Sequence, residues 1–300
     1  MTTGVLALSY GTPSSRDEIA GYYTRIRHGR PPSDEQLADL VRRYEAIGGL
    51  SPLNERTADQ VAGLAAELER RAPGCYVVTG ATKFAAPSIE DGVARLDADG
   101  VDSIVGLVLA PLSASMSTGQ YHERARAALD GRHPYHAVWA WWDAPGFDEL
   151  LAARVRDTVA ASGDESALVL FTAHSLPTRV VADGDDYPDQ LASLAGRIAR
   201  AAGVRDHLVS WQSAGRTADE WLGPDLLDVL RSLDPAAVHT VVVCPVGFVS
   251  DHLEVLFDVD VDAKRVAGEI GFTLRRTASL NDDAGFLSIL ADVVERSTAT

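Results

Sequence analysis

The sequence is poor in cysteine and in positive charge, and it has no long apolar run. Its two cysteines, Cys75 and Cys244, both sit inside apolar stretches. That excludes a disulfide framework and argues against a zinc ribbon or a cysteine-held cluster. No window approaches the ~18 consecutive apolar residues that a membrane span needs. The opening Met-Thr-Thr-Gly-Val-Leu-Ala-Leu-Ser-Tyr carries no basic leader, and its apolar run is too short for a signal peptide. A cytoplasmic location without an integral membrane segment is expected. Lys and Arg number 27 against 43 Asp and Glu, a formal charge of −16. Nucleic acid is therefore not an expected partner, because phosphate binding rests on a basic footprint. An anionic substrate would need a local basic patch that offsets the global field. Glycine-rich phosphate loops are also missing, both Gly-x-Gly-x-x-Gly after the first apolar run and any Gly-Lys-Ser/Thr, as is a Gly-x-Ser-x-Gly elbow. Nucleotide enzymes and serine hydrolases fall away.

What is present is an alternation of short apolar runs and longer helical patterns. The 300 residues are 46% hydrophobic, enough for two packed domains. Eight runs rich in Val, Ile and Leu read as buried parallel strands: 5–10, 76–80, 103–109, 136–142, 167–172, 208–211, 240–246 and 272–275. Amphipathic stretches at 57–71, 119–130, 147–162 and 187–202 lie between them. Such alternation implies βαβ units and an α/β fold with two four-stranded parallel sheets flanked by helices. Asp143-Ala-Pro-Gly marks the boundary between a domain at 1–143 and a second at 144–282. A closing helix over 283–300 is expected to join the first domain. Open α/β sheets bind ligands beyond the carboxyl ends of their strands, so a cleft between the domains is the expected site.

The segments that follow the strands carry the chemistry. His174 ends the fifth strand; a histidine there serves as a base or a metal ligand, or only hydrogen-bonds a loop. Residues 251–262 hold five acids and no Lys or Arg. Glu254, Asp258 and Asp262 are four apart and share a face if the segment is helical, where like charges repel unless a cation relieves them. Oxygen ligands suit a hydrated divalent metal, and a solvated acidic face is the alternative for Asp258 and Asp262. Near the N-terminus the charge inverts. Arg25, Arg27 and Arg30 occur with no acid among them, followed by Arg42, Arg43 and Tyr44. Arginine suits carboxylates and phosphates through forked hydrogen bonds; the alternative is an ordinary surface loop. The Gly48-Gly49 pair lets a backbone approach a flat ligand closely.

Four blocks resemble the ferrochelatase family: Ser9-Tyr10-Gly-Thr-Pro13, Tyr44-Glu-Ala-Ile-Gly-Gly-Leu-Ser51-Pro-Leu, Ala173-His174-Ser-Leu-Pro177, and Pro245-Val-Gly-Phe-Val-Ser-Asp-His-Leu-Glu254. Tyr187-Pro-Asp-Gln190, Trp211-Gln-Ser213 and Trp221-Leu-Gly-Pro224 support them, in the family's order along nearly the whole chain. The resemblance implies two similar Rossmann-like domains with an interdomain porphyrin cleft. Tyr10 makes the chain similar to the coproporphyrin type, in which this tyrosine can be a proximal ligand to the product iron. The activity implied is insertion of ferrous iron into coproporphyrin III, releasing two protons. His174 and Glu254 are implied as the inner pair for iron and protons. Arg27, Arg43, Tyr44, Ser51 and Tyr121 are implied as porphyrin contacts, and Lys83 aligns with a rim lysine of some members. Asp258 and Asp262 match an acidic metal path, so the implied metal residues are His174, Glu254, Asp258 and Asp262. Phe84 stands where some relatives have histidine, which puts an accessory metal site there in doubt. Two isolated cysteines cannot supply the ~four ligands of a [2Fe–2S] cluster, so no cofactor is expected and iron is a substrate. A monomer is expected. The alternatives are a sirohydrochlorin-type cobalt or nickel chelatase, and a non-catalytic tetrapyrrole or metal carrier.

Overall fold

A computed structural model describes residues 2–215 and 217–298. The strands are β1 Thr3–Ser9, β2 Tyr76–Thr82, β3 Ser103–Val108, β4 Tyr135–Val138, β5 Leu168–His174, β6 His207–Gln212, β7 Thr240–Cys244 and β8 Thr273–Arg276. They form two wholly parallel four-stranded sheets, ordered β2-β1-β3-β4 and β6-β5-β7-β8. The expected α/β class and strand count hold.

Each sheet starts on an inner strand, steps outward one way, then returns to the other side. The reversal falls between β1 and β3 in one sheet and between β5 and β7 in the other. In open α/β sheets a ligand crevice opens at such a switch point, beyond the carboxyl ends of the strands. Tyr10 follows β1 directly and His174 is the last residue of β5.

The chain divides into two compact units. The first comprises Met1–Trp141, Ser250–Leu253 and Leu280–Thr300; the second comprises Trp142–Val249 and Glu254–Ser279. Residues 250–253, placed by the sequence within a continuous second domain, thus pack with the first unit. The closing helix spans Ala284–Thr298, and residues 299 and 300 of its expected extent lie outside the described residues. Its Phe286 ring lies 5.8 Å from Trp141, and Arg71 on the helix Leu53–Arg71 reaches Asp292 (2.5 Å), Glu295 (2.9 Å) and the Ser288 hydroxyl (2.7 Å).

Two details differ from the sequence expectation. The fourth strand stops at Val138 rather than 142, because Trp141 turns inward and donates its indole N–H to the Val108 carbonyl at 2.9 Å. The acidic segment after β7 is a π-helix, Val255–Ala263, and a shorter π-helix, Ser115–Gly119, follows β3. Each sheet therefore has a π-helical segment after its third strand. Runs with i→i+5 bonding are rare and concentrate at functional sites.

Candidate active site

The second unit's strand-end rim is built around β5. Its centre is close-packed: a Cβ on Gly247 would lie 2.6 Å from the Ala173 Cβ. Only glycine lets the loop after β7 approach that strand so closely. His174 comes next. Its Nδ1–H donates to the Ser175 carbonyl, which turns Nε2 toward Glu254 Oε1 at 3.5 Å. The two side chains are 33% and 32% exposed, reachable yet shielded from bulk water. Burial pushes the imidazole pKa down, but the charge and hydrogen bond of Glu254, the Ser175 carbonyl and Asp258 outweigh it. The net shift is upward from the ordinary histidine value.

Two residues, Tyr187 and Gln212, hold this pair in place. Tyr187 donates its hydroxyl to the His174 carbonyl at 3.0 Å. Gln212, paired with His174 in the β5–β6 register, accepts from Thr172 Oγ1 at 2.7 Å and donates to the Glu254 carbonyl at 3.2 Å. The Gln212 carbonyl also receives the Ser175 N–H at 2.7 Å. Gln212 thus ties the backbones on both sides of the His–Glu pair. Ser213, at φ 61°, is a non-glycine residue in the left-handed region, and its hydroxyl donates to Asp258.

The acidic residues of the π-helix are separately partnered. Asp258 is 8% exposed and bound to Ser213, Asp260 pairs with Arg276 at 2.9 Å and with Lys264 at 2.9 Å, and Asp262 lies 3.5 Å from Arg265. Among the described residues no group of three or more His, Cys, Asp or Glu converges to hold a metal. His174 and Glu254 meet; Asp258 and Asp262 do not join them in one ligand cluster, Asp258 being bonded to Ser213 and Asp262 facing Arg265.

The first unit's rim has a different chemistry. Gly11 holds φ +80, and a Cβ there would come within 2.8 Å of Ala85, so the chain turns sharply after Tyr10. Tyr10 is 40% exposed and packs edge-on against Phe84, with ring centroids 4.8 Å apart. Tyr22 donates to the Gly11 carbonyl at 2.9 Å, while Asn54 brackets Thr12 through both backbone groups at 3.1 and 2.8 Å. Lys83 places its ammonium over Tyr121 (5.0 Å) and Phe84 (5.3 Å). Burial, helped by the nearby Arg124 charge and opposed by Glu123, pushes its pKa down to about 8. Arg27 stacks over Tyr23 at 5.7 Å, and Arg27 and Arg43 are both half-buried.

Among the implied porphyrin contacts, Tyr10, Lys83, Arg27 and Arg43 present accessible surface. Tyr44 and Tyr121 are buried, Tyr44 with its hydroxyl 3.1 Å from Thr12 Oγ1 and Tyr121 in the apolar cluster behind β1 and β3. Ser51 is 8% exposed. Sequence reasoning missed Gln212 and Tyr187 as supports of the His–Glu pair, and Ser213 as the partner of Asp258. Their signal was available, since the Tyr187-Pro-Asp-Gln190 and Trp211-Gln-Ser213 blocks contain all three.

The ferrochelatase family model matches residues 2–298. The chain belongs to the ferrochelatase family. Within the family it is 43% identical to the coproporphyrin III ferrochelatase of Geobacillus thermodenitrificans (strain NG80-2), over 99% of this chain and 96% of the relative. To the coproporphyrin III ferrochelatase of Geobacillus kaustophilus (strain HTA426) it is 44% identical, over 98% and 95%. Among solved structures it is similar to SirB from Bacillus subtilis with Fe3+, with a TM-score of 0.65 at 11% identity, covering 100% of this chain and 96% of that one. That likeness extends the fold, not the substrate, to this ferrochelatase-family chain. No helix among the described residues is long and apolar enough to cross a membrane.

Proposed function

We propose that this ferrochelatase-family protein inserts ferrous iron into coproporphyrin III, giving iron-coproporphyrin and two protons. The reading is carried by the His174–Glu254 pair at 3.5 Å on the carboxyl end of β5. Full-length likeness to relatives named coproporphyrin III ferrochelatases supports the choice of porphyrin.

Metallation replaces two pyrrole N–H protons with one divalent metal. The protein must hold the macrocycle, accept two protons and bring the metal to the ring nitrogens. In this proposal the first unit's rim holds the porphyrin. Arg27 and Arg43 take carboxylates through forked hydrogen bonds, and Ser51 and Lys83 add single donors. Tyr44 and Tyr121, both buried, act through Thr12 and Lys83, their neighbours. Tyr10 stands beside the product iron. Walls that grip a bent macrocycle direct remote binding energy into distortion.

His174 is the first proton acceptor. Its Nδ1–H is committed to Ser175, so Nε2 is the nitrogen left to take a pyrrole proton and face Glu254. Glu254 relays the proton or receives the metal. Asp258 and Asp262 supply an acidic route by which hydrated iron approaches. The reading carries with it a cytoplasmic monomer that needs no cofactor, three expectations that come from the family resemblance and the scarcity of cysteine.

An anaerobic optical assay tests the proposal. Ferrous iron with coproporphyrin III should give the iron-porphyrin spectrum faster than with protoporphyrin IX. Preference for protoporphyrin would overturn the subtype. Faster metallation of sirohydrochlorin by Co2+ or Ni2+ would replace the iron reading altogether, and tight binding without metallation would make the protein a carrier.

A further inference from the structure

Residues 250–253 belong to the first unit although both flanks, Val249 and Glu254, belong to the second. The next residue after this short strap is the carboxylate that faces His174. Three side chains of the first unit pin the strap. Ser51 Oγ accepts the Leu253 N–H at 3.2 Å and the Leu53 N–H at 3.3 Å. Gln60, 1% exposed, donates through one amide nitrogen to Ser250 Oγ and to the Asn281 carbonyl, both at 2.9 Å. Asn281 and Asp251 form a two-bond clamp. The Asp251 N–H donates to Asn281 Oδ1 at 2.9 Å, and Asn281 Nδ2 donates to Asp251 Oδ2 at 3.0 Å.

Asn281 makes this clamp from φ +46, a left-handed conformation that Asn and Asp tolerate far better than other non-glycine residues. The conformation points its amide back at the strap. We infer that Asn281 is a positioning residue for metallation: by clamping Asp251 it fixes the strap, and so the point from which Glu254 reaches His174. The inference rests on the proposed role of Glu254.

The separation of 3.5 Å leaves little slack. Gln212 holds the Glu254 carbonyl on one side, and the strap holds the backbone on the other. A carboxylate anchored at both ends has a defined reach, whereas one anchored at a single end samples several. Displacement of a reacting group by about 1 Å can cost about a hundredfold in rate. Asn281 itself touches neither substrate in this account. Its loss should therefore lower kcat while leaving porphyrin affinity alone.

The test uses the full chain in the anaerobic coproporphyrin assay, with porphyrin Kd from fluorescence quenching and Tm as a control. Asn281→Gly accepts the positive φ and deletes the clamp; kcat should fall about tenfold, with Kd within about twofold of the parent. Asn281→Asp keeps the acceptor for the Asp251 N–H but sets two carboxylates against each other, and kcat should fall likewise. The double variant Asp251→Asn/Asn281→Asp exchanges the partners, restores both hydrogen bonds and should recover most of the lost kcat. Unchanged kcat in Asn281→Gly overturns the inference. So does a loss that follows porphyrin Kd or Tm, and so does an exchanged pair that stays as slow as Asn281→Asp. Glu254→Gln in the same assay separates the two claims, since undiminished turnover there removes the role of Glu254 whatever the Asn281 variants do.

Discussion

The two units share a strand order and differ in what stands at the end of the first strand. After β1 comes Tyr10, a half-exposed phenol against Phe84 with Lys83 nearby. At the end of β5 stands His174, locked by Ser175 and Tyr187 and turned to Glu254. The loops that follow repeat the contrast, arginines and hydroxyls in the first unit and carboxylates in the second. Corresponding strand ends on one topology thus carry different chemistry, a phenol in one unit and an imidazole facing a carboxylate in the other. The sheet supplies the address, and the side chain at that address supplies the chemistry. The negative charge itself is shared almost evenly, with a net of −7 on the first unit and −9 on the second, so the contrast lies in which side chains stand at the strand ends rather than in the charge of either unit.

The largest predicted effect breaks the second unit alone. His174→Ala should lower metallation by about 10²–10⁴-fold, the range for removal of a positioned proton acceptor, with coproporphyrin binding still measurable by fluorescence. Tyr10→Phe, at the matching address, should retain turnover within about tenfold of the parent, a loss below that range, and alter the product spectrum instead. Equal losses from both would erase the distinction between the units.

Substitutions in the arginine-bearing segment should do the reverse. Arg27→Ala and Arg43→Ala are each expected to weaken porphyrin binding about tenfold, a charge-assisted hydrogen bond discounted for partial exposure. Added salt should shrink the difference, and the KM for iron should stay put. A raised iron KM with unchanged porphyrin Kd would move these residues to the other half of the reaction.

The pH dependences should also separate the units. His174 must be neutral to accept a proton, and its pKa is raised, chiefly by Glu254 acting against burial. Turnover should therefore climb with pH, with a midpoint displaced upward from that of an ordinary histidine. Glu254→Gln removes that charge, and an NMR titration of the imidazole should show its pKa falling. Lys83 behaves oppositely. With a pKa of about 8 it loses its proton as pH rises through that value, so porphyrin affinity should decline a few-fold above it. Lys83→Met should flatten that limb; a decline that persists in the variant assigns it elsewhere.

The smallest effect on turnover is expected from Arg71→Ala. Removing its ties to Ser288, Asp292 and Glu295 should cost about 1–3 kcal/mol, read as faster hydrogen exchange in the first unit. Exchange in the second unit should not change.

Much of this contrast was legible in the amino-acid order. Apolar runs located all eight strands within a few residues, most clearly the inner strands β1, β3, β5 and β7, which are buried on both faces and have no polar side to blur the pattern. Tyr10 and His174 were readable for a related reason: a strand end is where an apolar run gives way to chemistry. The π-helix was not legible, since acids spaced by four suit either helical form, and Ser213 and Arg276 reach Asp258 and Asp260 from segments distant in sequence. Nor was the support given by Gln212, whose side chain joins strands far apart in sequence. The strap at 250–253 was hidden for the same reason, because its partners Ser51, Gln60 and Asn281 lie up to two hundred residues away.

The placement of the last helix has a consequence for the order of assembly. Ala284–Thr298 packs with the first unit, as does the strap, so that unit lacks part of its core until all of the second has been synthesised. Domains generally fold in the order in which they leave the ribosome. Here the half begun first is finished last. Nascent chains arrested only once residue 280 has cleared the ribosome should protect the second sheet from proteolysis while leaving the helix Leu53–Arg71 exposed to it.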